Sequence, residues 1–146
     1  MCQVSALRYA AVDDCGRVIN PLLVEGQVHG SLAQGLGQAL FEAAAYAGDG
    51  QLLTGSLLDY ATPTAADLPE FLCETRESPS PLNPLGTKRI GESGTIGAPP
   101  AIVNAVEDAL RLDRIAPLQI PLTPDRVWMT LQAARDRSRR SRAPEV

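Results

Sequence analysis

An α+β fold, with helices packed on short mixed strands, is the fold class that the sequence predicts. Two short runs, 4–12 and 71–77, are alternating or mostly apolar over a length that is typical of strands. Two longer segments, 22–46 and 99–110, repeat apolar residues every three or four positions, as amphipathic helices do. The chain of 146 residues is long enough for one ordinary domain with its own core.

The first predicted helix, 22–46, follows the strand over 4–12 and a turn. Asn20 is a good N-cap, and Pro21 suits the first helical position because the N–H that it lacks would have no partner there. The helix nevertheless gives up about 4 kcal/mol of helix propensity at its glycines. These glycines are Gly26, Gly30, Gly35 and Gly37.

A stripe of small residues on this helix indicates what offsets that cost. Gly26, Gly30, Ala33 and Gly37 lie three or four positions apart, so another backbone or a flat cofactor can approach this stripe closely. Tight packing of a buried helix explains the same pattern. Both interpretations stay open at the level of sequence.

Short strands are predicted at 51–59, 71–77 and 118–122 in the rest of the chain. Between them, the prolines of 78–84 exclude regular structure, since each removes a backbone donor and favours extended backbone. This run is therefore expected to form a stiff, extended connection to the glycine-rich segment 86–100.

Two helices are predicted after that segment. The helix over 99–110 is expected to begin at Pro99 and Pro100, because a proline pair can open a helix but is not expected inside one. A final helix is expected behind Thr123 as N-cap and Pro124. The predicted apolar faces are Ile102, Val103, Val106 and Leu110 in the first, and Val127, Trp128 and Leu131 in the second.

Composition excludes several classes of function. The formal net charge of -4 argues against a nucleic-acid surface. The three cysteines form no Cys-x-x-Cys pair, and His29 is the single histidine, so neither structural zinc nor an iron–sulfur cluster is expected within this chain. No apolar run reaches about 18 residues and no signal peptide opens the sequence, so no membrane span and a cytoplasmic location are expected.

One carboxylate stands out in the segment 86–100. Glu92 follows Gly91 and precedes Ser93 and Gly94, and glycines on both sides let a bulky ligand approach the main chain. Glu92 is therefore expected to be presented to a ligand. A solvated glutamate in a surface turn is the alternative.

Two stretches carry a resemblance to a known family. They read Glu25-Gly-Gln-Val-His-Gly-Ser-Leu-Ala-Gln-Gly-Leu-Gly-Gln-Ala-Leu40 and Gly86-Thr-Lys-Arg-Ile-Gly-Glu-Ser-Gly-Thr-Ile-Gly-Ala-Pro-Pro100. They resemble the molybdopterin-binding large subunit of the xanthine dehydrogenase and aldehyde oxidase family, and most of all its aerobic carbon monoxide dehydrogenase branch. Further matching stretches are 12–21, 53–63, 78–86 and 121–128. The family's chains are several times longer, and what is present here resembles their C-terminal end.

The resemblance implies a molybdopterin-type molybdenum cofactor in its cytosine dinucleotide form. It places the catalytic general base at Glu92, in a buried glycine-lined pocket, and cofactor contacts at Gln27 and Gly91, with no protein ligand to the metal. Iron–sulfur clusters and FAD are implied on partner chains only. The implied partners are the remainder of the large subunit, iron–sulfur and flavin subunits in an oligomer, and a small-molecule substrate whose identity stays open.

The sequence therefore predicts part of a molybdenum hydroxylase-type oxidoreductase that is active only when assembled with the rest of the large subunit. Residues 1–134 are expected to form the C-terminal lobe of a molybdopterin-binding domain, and 135–146 a basic, frayed tail. A non-catalytic truncated homologue that serves as a scaffold is the alternative. A phosphate or nucleotide binder is disfavoured, because 91–97 lacks the Gly-Lys-Ser/Thr ending of a P-loop.

Overall fold

The computed structural model of the chain describes residues 2–111 and 118–140. Its main elements are, in chain order, β1 (Arg8–Asp13), α1 (Pro21–Leu40), β2 (Glu70–Thr75), α2 (Ser93–Leu110) and α3 (Pro124–Arg140). The predicted α+β fold, with helices packed on short strands, is confirmed. None of the helices in these ranges is long and apolar enough to cross a membrane.

The two strands pair in parallel, and α1 lies on the connection between them. Tyr9 is opposite Phe71 and Ala11 is opposite Cys73, and these four side chains point towards the core. The rings of Tyr9 and Phe71 meet edge to face with their centroids 6.3 Å apart. The alternation of residues that predicted the strands thus corresponds to one strand face that packs on the core and one face that points away from it.

The core lies between α1, α2 and the start of α3. Its largest fully buried side chains are Leu32 and Leu36 of α1, and Ile102 and Val106 of α2 pack in the same cluster. Gly35 is buried where α1 meets α2, and a Cβ added to it would lie 2.7 Å from Ala98 Cβ. The missing side chain therefore permits this close crossing, which offsets part of the cost in helix propensity.

The predicted start of α2 is wrong, because the helix begins at Ser93 and contains both Pro99 and Pro100. A proline inside a helix leaves the carbonyl four residues earlier without its N–H partner. Packing against α1 compensates, since Ala98 and Pro99 are buried and a Cβ on Gly35 would lie 3.2 Å from Pro99 Cδ. Tertiary contact thus overrides the local preference of the proline pair.

Two predicted strands do not form. Residues 51–59 hold one isolated bridge, between Tyr46 and Leu52, followed by turns. Residues 118–122 are irregular, and the backbone N–H of the buried Leu122 donates to Ala39 O at the end of α1 (2.7 Å). Residues 118–122 thus pack on the end of α1, whereas Leu57 and Leu58 of the other segment are exposed.

Both helix ends that the sequence left uncertain can now be placed. α1 ends at Leu40 and not near residue 46. α3 begins behind Thr123 as predicted and continues past residue 134 to Arg140. The division of the chain into a lobe over 1–134 and a tail over 135–146 stays a prediction. Residues 141–146 lie outside the described residues. On α3, Val127 is buried as expected, but Trp128 is 53% exposed.

Candidate functional site

Three predicted site residues lie at one corner of the molecule, where α1 passes the start of α2. Gln27 is in the second turn of α1, and Gly91 and Glu92 directly precede α2. A Cβ added to Gly91 would lie 3.0 Å from Gln27 Oε1, so the side-chain amide of Gln27 rests against the main chain of Gly91. We call these three residues the Glu92 corner.

Glu92 is the N-cap residue of α2, but it caps through its backbone alone. Its carbonyl oxygen accepts a hydrogen bond from the Ile96 N–H (3.1 Å), while its side chain makes no capping bond. Among the residues that the structure describes, no hydrogen bond or ion pair to the Glu92 carboxylate is found. The carboxylate is thus free to meet a ligand at the positive end of an 18-residue helix.

The buried, glycine-lined pocket that the resemblance implies around Glu92 is not formed by the described residues of this chain alone. Glu92, Gly91 and Gln27 are all exposed. The reason is geometric, since α1 and the first turn of α2 cover the corner from one side only. Any enclosure of Glu92 must come from elements beyond the described residues.

The surface of α1 beside Gln27 is bare. A Cβ added to Gly26 or Gly30 would meet no atom within 4 Å. The other end of the predicted small-residue stripe is covered by the chain itself, because a Cβ on Gly37 would lie 2.9 Å from Pro63 Cδ. A flat group can therefore lie on the Gly26 end, next to an amide that offers both a donor and an acceptor, which fits the edge of a pterin.

Hydrogen bonds to the Asp14 carboxylate, which we call the latch, hold the loop that leads to Glu92. The Asp14 carboxylate accepts from Lys88 Nζ (2.7 Å), from the Gly16 N–H (2.8 Å) and from the Ser78 N–H (3.1 Å). The Lys88 N–H in turn donates to Cys15 O (2.7 Å). The turn after β1 thus fixes the loop four residues before Glu92.

The latch should make stability depend on pH. The hydrogen bond from Lys88, followed by the one from the Gly16 N–H, lowers the pKa of Asp14 from 3.8 to about 2. Because the pKa of Asp14 is lower in the folded state than in the unfolded state, the ionised carboxylate stabilises the fold above about pH 4. This stabilisation is lost as the pH falls towards about 2. Asp14→Asn should therefore lower the urea midpoint of unfolding at neutral pH and approach the parent near pH 2, roughly.

Lys88→Met provides the matched comparison for Asp14→Asn, because it removes the other half of the ion pair. The two substitutions should be less than additive in the double variant, since each breaks the same contact. A constant difference between Asp14→Asn and the parent across the acid range would contradict the latch.

A cavity lies apart from the Glu92 corner. It has a volume of about 600 Å³ and lies between the segment before β1, α2 and α3. Its lining is mostly apolar, with Cys2, Val4, Ile102, Val106 and Leu131 among its residues. Its described lining residues include no Asp or Glu, so the cavity offers no counterpart of the Glu92 carboxylate.

Cysteine and histidine do not form a metal site in the described part of the chain, where no group of three potential ligands occurs. His29 packs on the ring of Phe71, with the centroids 5.6 Å apart. Burial raises the pKa of the Cys73 thiol, and the carboxylates of Asp13 and Glu25 raise it further. Cys73 is accordingly a protonated, partly buried thiol.

Residues 1–69 match the family described as the molybdopterin cofactor-binding domain. Nicotine 6-hydroxylase large subunit of Paenarthrobacter nicotinovorans is 47% identical over 117 residues, which are 80% of this chain and 14% of that protein. The chain belongs to the molybdopterin-binding large-subunit family. The resemblance that the sequence motifs predicted is thereby confirmed.

Solved structures of molybdenum hydroxylase large subunits share the fold. The crystal structure of quinoline 2-oxidoreductase from Pseudomonas putida 86 has a TM-score of 0.79 and 46% identity, and the match covers 84% of this chain and 16% of that one. Reconstituted CO dehydrogenase from Oligotropha carboxidovorans has a TM-score of 0.82 and 35% identity, with 89% and 16% covered. The chain thus spans about one sixth of the length of these family members.

Sequence reasoning missed the residues that hold the site in place. No local sequence pattern assigns a role to Asp14, Thr95 or Gln34. The structure connects Thr95 Oγ1 with Gln34 Oε1 (3.2 Å) and with Ser31 O (3.2 Å). The polar side chain of Gln34 is only a weak signal for such a contact, because α1 also carries Gln27, Ser31 and Gln38.

Proposed function

We propose that this chain supplies the catalytic carboxylate and one wall of the cofactor site of a molybdenum hydroxylase. The observation that carries the proposal is the free Glu92 carboxylate at the N-terminus of α2, next to the contact between Gln27 and Gly91. Family membership supports the proposal. The activity belongs to the assembled protein, in which further elements enclose the Glu92 corner.

The proposed cofactor contacts are Gln27 and Gly91. The amide of Gln27 would pair with the edge of a pterin, and Gly91 would let the ring system approach the main chain, while Gly26 and Gly30 leave room beside it. We include the cytosine dinucleotide form in the proposal. When bound, the molybdenum cofactor supplies the two-electron acceptor for the C–H bond that is broken.

Glu92 is proposed as the general base. A carboxylate oxygen of Glu92 takes the proton from the oxygen nucleophile as it adds to the substrate carbon. The carboxylate suits this role because neither its own helix nor another described side chain engages it. Enclosure in the assembled protein would exclude water and strengthen the interaction of the base with its proton donor.

The substrate class that we propose is a nitrogen heteroaromatic ring. The names of two similar proteins, nicotine 6-hydroxylase and quinoline 2-oxidoreductase, support this class, and both are more than 45% identical to this chain. In a panel of nicotine, quinoline, xanthine and CO, the first three are nitrogen heteroaromatics, and CO, which other relatives name, lies outside the class. The expected result is reduction of the cofactor by nicotine or quinoline and not by CO.

Assembly is proposed because the chain exposes large apolar side chains. Leu58 is 94% exposed, Leu82 93%, Leu7 86% and Leu57 83%. Such side chains mark surfaces that another polypeptide segment covers. We propose that the remainder of the large subunit covers them, with iron–sulfur and flavin subunits in the complex.

A scaffold without catalysis is the second candidate. The exposure of Glu92 favours it, because a catalytic carboxylate would need enclosure that the described residues do not provide. The two candidates differ in a simple way. A scaffold would keep its interactions and stability after Glu92 or Gln27 is replaced, and it would contribute no residue to cofactor binding.

Gln27→Ala tests the cofactor wall. In the assembled enzyme, loss of the amide should leave a buried polar group of the cofactor unpaired, which costs about 1 to 3 kcal/mol and should lower the molybdenum content about 5-fold or more. Gln38→Ala is the matched control, since Gln38 is an exposed glutamine of the same helix. Molybdenum is measured by inductively coupled plasma mass spectrometry.

Equal molybdenum content in Gln27→Ala, Gln38→Ala and the parent would contradict the assignment of Gln27. The fold should survive in both variants, because both side chains are exposed. Loss of folded protein only in Gln27→Ala would point to a packing role instead.

A further inference from the structure

The first turn of α2 lies close against α1 because Gly94 has no side chain. Gly94 is buried, and a Cβ on it would lie 2.8 Å from the Leu32 nitrogen and 3.0 Å from the Ser31 carbonyl carbon. Both are backbone atoms, so neither could make room for a Cβ unless the backbone of α1 moved. This contact sets the distance between the two helices at the residue that lies two positions after Glu92.

Thr95 adds a directional contact at the same place. Its hydroxyl lies 3.2 Å from Ser31 O and 3.2 Å from Gln34 Oε1. Both oxygens are acceptors, so the single hydroxyl proton of Thr95 is donated to one of them or shared between the two. Within the described ranges, no other side-chain hydrogen bond joins α1 and α2. Apolar packing tolerates small sliding and rotation, whereas a hydrogen bond weakens steeply when its geometry changes.

The orientation of Glu92 follows from that contact. Glu92 is three residues before Thr95, which is less than one helical turn, so a rotation of this turn changes the direction of both residues. Gln27 lies one turn before Ser31 on α1. The Thr95 contact is therefore placed to fix the carboxylate of Glu92 relative to the amide of Gln27.

We propose that Thr95 is a positioning residue, whose hydroxyl donates to Ser31 O or Gln34 Oε1 on α1 and so holds Glu92 in alignment with the cofactor wall. This proposal rests on the proposed function for its catalytic consequence. Thr95 itself touches neither the substrate nor the reacting atoms. Its effect passes through the first turn of α2.

Thr95→Val and Thr95→Ser in the assembled, molybdenum-loaded enzyme test the proposal. Valine keeps the shape and removes the hydroxyl, and serine restores it. Thr130→Val is the matched control, because Thr130 donates a comparable hydrogen bond to Arg126 O within α3 (2.9 Å). Cofactor reduction is followed by stopped-flow absorbance with the compound, among nicotine, quinoline, xanthine and CO, that reduces the parent.

Hydrogen–deuterium exchange of the peptide that contains 91–98 is measured on the same samples. Thr95→Val should lower the limiting rate of reduction about 10- to 100-fold through misplacement of the base. The dependence on substrate concentration and the molybdenum content should stay near those of the parent. Exchange should accelerate in 91–98 but not in peptides from α3, and Thr95→Ser should return both rate and exchange towards the parent.

The exchange measurement can overturn the proposal by itself. Unchanged exchange in 91–98 of Thr95→Val would overturn it, whatever the kinetics. Parent-like reduction by Thr95→Val together with slow reduction by Glu92→Gln would overturn it too, while the proposed function survived. Parent-like reduction by Glu92→Gln would instead refute the proposed function, and accelerated local exchange would then still support Thr95 as the residue that orders this turn.

Discussion

Glu92→Gln should slow substrate-dependent reduction of the cofactor by at least about 10²- to 10⁴-fold, the usual contribution of general acid–base catalysis. Glutamine keeps the shape and the hydrogen-bonding capacity of the side chain but cannot take up the proton. Among the described residues, no other acid lies in the segment 86–100 that could replace it. The rate is measured by stopped-flow absorbance in the assembled enzyme, with molybdenum content determined in parallel.

The matched control for Glu92→Gln is Glu70→Gln, which changes another exposed carboxylate at the start of β2. Stability and molybdenum content should be close to the parent in both variants. Reduction at the parent rate by Glu92→Gln would make Glu92 a solvated surface carboxylate. The scaffold candidate would then be favoured.

Gly94→Ala should lower the free energy of unfolding by about 1 to 3 kcal/mol, because overpacking forces the backbone to shift. The added methyl group would meet backbone atoms of Ser31 and Leu32, so no rotamer change can relieve the contact. Gly97→Ala is the matched control on the same helix, since a Cβ there meets nothing within 4 Å. It should raise the free energy of unfolding by up to about 1 kcal/mol.

Urea unfolding of the chain, followed by circular dichroism, measures both glycine variants. Opposite signs for Gly94→Ala and Gly97→Ala are expected. Equal stabilisation by the two alanines would contradict the close crossing of α1 and α2, and with it the physical basis for the placement of Glu92.

The sequence carried enough local information to predict most of the main elements. Asn20 caps α1 as expected, with its side-chain oxygen accepting from the Leu23 N–H (3.2 Å). The alternation in 71–77 predicted β2, and Thr123 with Pro124 predicted the start of α3. Each of these rests on a side chain's preference for its own backbone position, which tertiary contacts did not override.

The start of α2 could not be predicted in this way. Pro99 and Pro100 locally favour the beginning of a helix, yet the helix begins at Ser93 because Gly94 and Gly35 permit a close approach to α1. That contact depends on residues some sixty positions apart in the sequence, so no local pattern reveals it. Because of this contact, Glu92 is the N-cap residue of α2 and does not lie in the middle of a loop, as the sequence predicted.

The candidate site was predicted through motifs and not through composition. Glu92 between glycines is ambiguous by itself, and only the resemblance assigned roles to Gln27 and Gly91. The structure brings the three residues together, while their roles stay proposals. Asp14 and Thr95 escaped prediction because their significance lies in long-range partners, Lys88 in one case and Ser31 with Gln34 in the other.

We propose that the Glu92 corner faces the molybdenum cofactor. Anomalous diffraction at the molybdenum absorption edge, recorded on crystals of the assembled enzyme, tests it most directly. An anomalous peak is expected on the open side of the Glu92 corner, beside Glu92 and Gln27. A peak elsewhere, for example over the apolar cavity between α2 and α3, would contradict it.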